Sequence, residues 1–165
     1  MSGTDQRDQL DAATVAKVKA TFTDELFDPN YVLQQEPLPV PDWAKDLTLR
    51  VCELTSWPVP AILWYKAEPG KLAGGWFNHR TRELVILSPG PEFRPADELT
   101  IVHELAHYVT NEDHTPKMYS VMMCFVELFA LDRRLAYMQE MKYMPTAFSA
   151  GLRMMRNAIN RTDRR

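Results

Sequence analysis

Three of the chain's four histidines, His103, His107 and His114, fall within a short stretch that reads Ile101, Val102, His103, Glu104, Leu105, Ala106, His107, Tyr108, Val109, followed by Asn111, Glu112, Asp113 and His114. Residues four apart on a helix lie one turn above another on the same face, so His103 and His107 can present two imidazole nitrogens to a single point. Two imidazoles so placed make half of a zinc site. Glu104, beside the first of them, falls where a carboxylate reaches a water on the metal's open position without being a ligand itself, which is the place of a general base.

A catalytic zinc takes three protein ligands and leaves one position for water, so the helical pair needs a partner. His114 lies just beyond the predicted end of the helix, where a chain that turns back brings it under the metal. Glu127 competes for the same role. If a second helix starts at Pro116 and runs antiparallel to the first, Glu127 lies about 16 Å along it, level with His103 or further, while His114 lies at the near end. That favours His114 and leaves Glu127 to accept a hydrogen bond from a ligand imidazole behind the metal. Glu112 and Asp113 are more remote candidates.

An HExxH run also arises by chance on solvated helices. Here Leu99, Ile101, Val102, Leu105, Ala106 and Val109 surround it with apolar side chains on several faces, the pattern of a buried helix. Polar groups on such a helix require partners, because unpaired ones cost several kcal/mol in a core.

The elements that must position these residues follow from punctuation and periodicity. Residues 8–27 carry a helical stripe of Val15, Val18, Phe22 and Leu26, ended by Pro29; Pro37, Pro39 and Pro41 keep the next segment extended. Asp42 caps a second helix with Trp43, Leu47, Val51 and Leu54 on its inner side, ending near Trp57, and both tryptophans are expected to pack rather than to stack on substrate. From Pro60 to Pro89 three short runs rich in β-formers, Ala61–Tyr65, Gly75–Phe77 and Leu84–Leu87, alternate with the turn residues Pro69, Gly70 and Asn78 to Thr81. This predicts a three-stranded antiparallel meander with His79 solvated in a turn. Pro95, Asp97 and Glu98 open the motif helix, predicted over 95–110. Thr115 and Pro116 then read as N-cap and first residue of a long helix to about Lys142, lined by Met118, Val121, Met122, Phe125, Leu128, Phe129 and Leu135. Pro145 starts a last helix to about residue 160, with Phe148, Leu152, Met155 and Ile159.

The 165 residues are most simply one α+β domain with a core over about 60–142, N-terminal helices within 8–57 and a C-terminal helix. A net charge of −3 gives no global attraction to nucleic acid, although Arg153, Arg156, Arg161, Arg164 and Arg165 make a basic end. Cys52 and Cys124 sit in apolar helical segments with no zinc-knuckle spacing, so buried free thiols are expected. No run approaches the roughly 18 apolar residues of a membrane span, and the first residues lack a signal-peptide pattern, so a soluble cytoplasmic protein is the expectation.

His103-Glu104-Leu105-Ala106-His107 followed by His114-Thr115-Pro116-Lys117-Met118 resembles the zincin metallopeptidases, above all small bacterial and phage-type members in which a third histidine precedes a proline-initiated helix. SprT-like peptidases are similar but usually carry glycine where Thr115 stands. The metzincin pattern is not met, since position 110 is threonine, and the distance from His107 to Glu127 resembles the thermolysin-like gluzincins. The resemblance covers about residues 60–135. It implies a meander packed on the active helix, with the edge at Trp76 to His79 or at Leu84 to Leu87 receiving an extended peptide by strand addition.

The function expected is therefore hydrolysis of peptide bonds by a Zn2+ ion held by His103, His107 and His114, with Glu104 as catalytic base and Tyr119 or Tyr108 as candidate oxyanion donors. The rival readings are a non-catalytic zinc-containing binding or assembly protein and a DNA-associated protease of SprT type.

Overall fold

The computed structural model describes residues 35–67 and 74–163; the helix expected over 8–27 and the last two arginines lie outside them. The chain divides into two compact units, one formed by the chain up to Pro41 with Pro60–Glu92, the other by Asp42–Val59 with Phe93–Arg165. Among the described residues no helix is long and apolar enough to cross a membrane.

The first unit holds β1 (Ala61–Lys66), β2 (Gly74–Asn78) and β3 (Glu83–Ser88). The hairpin from β2 to β3 forms as its turn residues require: Asn78 Oδ1 accepts the backbone N–H of Arg80 at 3.1 Å and of Thr81 at 3.3 Å, and Arg82 adopts a left-handed φ of 57°. The antiparallel meander, however, is not what forms. The sheet order is β1-β3-β2, with β1 parallel to β3 and β2 antiparallel to it. A turn signal such as Pro69-Gly70 marks where one strand ends but not which strand lies beside it. The most continuously apolar strand, β3, takes the centre, and Leu84 to Ser88 are all buried. One face gathers Tyr65, Trp76, Val85 and Leu87 with Leu63. Because β3 is paired on both sides, Leu84 to Leu87 cannot accept an added strand. β2 pairs on one side only among the described residues, and β1 is met by an isolated bridge from Leu38, whose N–H reaches Trp64 O at 2.7 Å.

The second unit is helical. In α1 (Asp42–Thr55) the buried side is Ala44, Leu47, Thr48, Val51 and Cys52, whereas Leu54, a residue expected inside, is exposed. Trp57 is also 42% exposed and packs edge-on against Tyr108, so it is not a core residue. The motif helix α2 spans Pro95–Thr110 and closes through Asn111 in the left-handed conformation (φ 52°), whose N–H bonds His107 O.

The long helix expected from Pro116 to Lys142 is two helices, α3 (Pro116–Leu128) and α4 (Arg133–Tyr143). The break is a Schellman cap without glycine. Ala130 takes φ 52°, its N–H bonds Glu127 O, and the Leu131 N–H reaches back to Val126 O at 2.9 Å. Asp132 then caps α4 by accepting the Leu135 N–H at 2.9 Å. The final helix, α5 (Pro145–Asp163), crosses α3 at Gly151. A Cβ there would stand 2.7 Å from Tyr119 Cβ and 2.8 Å from the Pro116 carbonyl oxygen.

Gly151→Ala should therefore force the two helices apart and destabilise the fold by about 1–3 kcal/mol, as overpacked contacts do. Urea denaturation checks this, with no loss of stability as the contrary result.

Candidate metal centre

His103 and His107 project from α2 one turn apart, and the helix is anchored behind them by the fully buried Ile101, Val102, Leu105 and Ala106. Asn111 reverses the chain, and the five-residue link to α3 returns His114 to the same point. That link is held by its own bonds. Thr115 caps α3 by accepting the Met118 N–H at 3.2 Å and donates its hydroxyl to Glu112, and the Thr115 N–H bonds Asp113 O at 2.9 Å. The threonine thus has a local structural use at the position where SprT-like sequences carry glycine.

The three imidazoles converge. His103 Nε2 is 3.2 Å from His107 Nε2 and 3.2 Å from His114 Nε2, and the three ligand atoms form a cluster able to hold a metal ion. A tetrahedral ion with bonds of about 2.0–2.1 Å to nitrogen needs donors about 3.3 Å apart. The observed spacing fits.

The far nitrogens explain the orientation. His107 Nδ1 lies 2.7 Å from the carbonyl of Glu112, and His103 Nδ1 lies 2.8 Å from Oε1 of Glu140. Both partners only accept, so both Nδ1 atoms carry the proton and both Nε2 lone pairs face the cluster. Such lone pairs repel one another unless a cation stands among them. In the metal-free protein that cation is a proton on His103, whose pKa rises to about 9: burial opposes the charge, but the Glu140 carboxylate, bonded to the ring, and Glu104 outweigh it. His107 goes the other way, to about 3, through burial and the neighbouring positive charge of His103.

Glu104 is buried, and its charge acts on His103, Tyr119 and Tyr143. The two tyrosines frame the cluster. Tyr119 on α3 is wholly buried, its ring 5.9 Å from His103, and its hydroxyl makes no hydrogen bond; burial first, then the charge of Glu140, push its phenol up. Tyr143 at the end of α4 is half-buried, its ring edge-on to His114 at 5.2 Å. Burial first, then the charges of Glu104 and Glu140, push its phenol to about 12, so it stays a hydrogen-bond donor at neutral pH.

Other candidates are placed elsewhere. Glu127 is not in the cluster; it forms a two-pronged ion pair with Arg133, at 2.6 and 2.8 Å, on the partly exposed surface where α3 gives way to α4. Glu112 directs its carboxylate to Thr115 and Lys117 rather than to the histidines. Asp113 acts on His107 through charge alone and is not among the clustered ligand atoms. The Tyr108 hydroxyl donates to Pro58 O at 2.7 Å, away from the histidines. His79 is exposed in its turn, against Phe77. Both cysteines are free, Cys52 buried and Cys124 half-buried. Glu140 and Tyr143 escape sequence reasoning because they lie on a stretch that reads as the tail of one long helix. The available signal was Asp132, an N-cap three residues before Leu135.

No family model matches the chain, and neither a curated protein nor a solved structure is significantly similar to it. What the site can do is accordingly read from its own atoms.

In the metal-free protein the unfolded chain holds both histidines near 6.5. Below that value the unfolded state takes up a proton that folded His107 refuses, and above it the unfolded state releases one that folded His103 retains until about pH 9. Stability of chelator-treated protein should therefore peak near pH 6.5 and fall on both sides. Thermal unfolding across pH 5–9 tests this, and a monotonic profile through that range would contradict it.

Proposed function

We propose that the protein is a zinc-dependent peptidase of zincin type. The observation that carries this reading is the convergence of three imidazole Nε2 atoms at the spacing of a tetrahedral ion, with a buried carboxylate, Glu104, next in sequence to the first of them. His103, His107 and His114 would hold the metal and leave one position open. A zinc ion so held lowers the pKa of a bound water to about 7 and polarises a carbonyl.

Glu104 would accept a proton from the water whose oxygen attacks the carbonyl carbon, and return it to the amine as the C–N bond breaks. A site built only to stabilise the fold has no use for a base in that position, which favours hydrolysis over a structural role. Of the tyrosines, Tyr119 is sealed in the interior, and Tyr108 is bonded to Pro58. Tyr143, half-exposed with its ring against His114, is near enough to the cluster to donate a hydrogen bond to the carbonyl oxygen as negative charge develops on it.

The test uses the zinc-loaded full chain and a library of quenched fluorogenic peptides. Glu104→Gln should keep zinc and lower cleavage about 10²–10⁴-fold. Wild-type rates in that variant, or an absence of chelator-sensitive cleavage in the wild type, would refute the reading.

Tyr143→Phe should lower kcat about 10²-fold or more while leaving KM and zinc content nearly unchanged, the pattern of a donor used only in the transition state. A rise in KM at constant kcat would instead make it a ground-state contact.

A further inference from the structure

The structure assigns Glu140 a positioning role: through His103 Nδ1 it fixes the ring in the tautomer and rotamer that aim Nε2 at the metal. This rests on the metal-centre reading above and deepens it.

The carboxylate arrives from 37 positions away in sequence and comes within 2.8 Å of the ring nitrogen. It is 6% exposed, so water does not compensate it, and a buried carboxylate with no partner would cost several kcal/mol. Its hydrogen-bond partner is His103, through Oε1; Oε2 makes no hydrogen bond, nor does the buried hydroxyl of Tyr119, on which the Glu140 charge acts. Tyr119 is in turn immobilised: its ring packs edge-on against Phe148 at 5.4 Å, and the α5 backbone presses on its Cβ at Gly151. Glu140 holds His103 from behind by a charged hydrogen bond. His107 obtains the same orientation from the Glu112 carbonyl, which carries no net charge.

A carboxylate behind a ligand imidazole makes the ring a stronger donor to the metal, and its removal typically costs about 10–100-fold in affinity. Glu127 provides a control. It belongs to the neighbouring helix and faces Arg133, with no part in the cluster.

The experiment measures zinc affinity by competition with a chromophoric chelator for wild type, Glu140→Gln and Glu127→Gln. Imidazole 15N and 1H resonances of the zinc-loaded wild type are recorded in parallel. Glu140→Gln should bind zinc about 10–100-fold more weakly, while Glu127→Gln binds as wild type does. The His103 ring should be metallated at Nε2 and carry a downfield, slowly exchanging proton at Nδ1. Wild-type affinity in Glu140→Gln, or metallation of His103 through Nδ1, would overturn the assignment of Glu140 and leave the metal centre standing. Failure of the wild type to bind zinc would overturn the centre itself, and this inference with it. Should Glu140→Gln not fold, the wild-type resonances decide alone.

Discussion

Three imidazoles brought together, with Nε2 of His103 3.2 Å from Nε2 of both His107 and His114, are an unfavourable arrangement unless a cation stands among them, and the second unit is built to impose it. Two acceptors stand behind the rings of α2, the Glu112 carbonyl and the Glu140 carboxylate. Each takes the Nδ1 proton of one ring, and with it the ring's freedom to turn away. Left without metal, the cluster relieves its repulsion by keeping a proton on His103. A metal ion taken up by such a cluster would displace that proton.

Much of the surrounding fold can be read as support for that imposition. The left-handed Asn111 ends α2 at the residue that allows His114 to return. Thr115 starts α3 at once, so the link is too short and too bonded to drift. On the far side, the break at Ala130 turns the chain so that α4 starts afresh, and Glu140 and Tyr143 near its end reach the cluster. A straight continuation of α3 would carry them away from it. The close crossing of α3 and α5 at Gly151 fixes Tyr119 beside His103.

The division of labour among acids follows from burial rather than from chemistry. Glu104, Glu127 and Glu140 have the same side chain. Glu127, partly exposed, is paired with an arginine at the surface, where such a pair contributes little. Glu140, enclosed, must pair with a ring it can charge. Glu104 is also enclosed, next in sequence to His103, and its charge acts on that ring.

The helical histidine motif, its limits at Pro95 and Thr110, the cap at Thr115 and the return of His114 to the two helical histidines were legible in the residues, because each depends on spacing within a few turns of chain. The three strands were legible too, since alternation and turn residues are local. Their order was not: antiparallel and parallel neighbours share one apolar pattern, and β3 took the centre for its burial. Nor was the break at Ala130 visible, because alanine favours helix and carries none of glycine's signal for a left-handed cap. Glu140 and Tyr143 joined the site only through that break, so their roles depended on where the chain turned in space. Periodicity along one helix decides which side chains share a face, whereas packing between helices decides which distant side chain stands behind them.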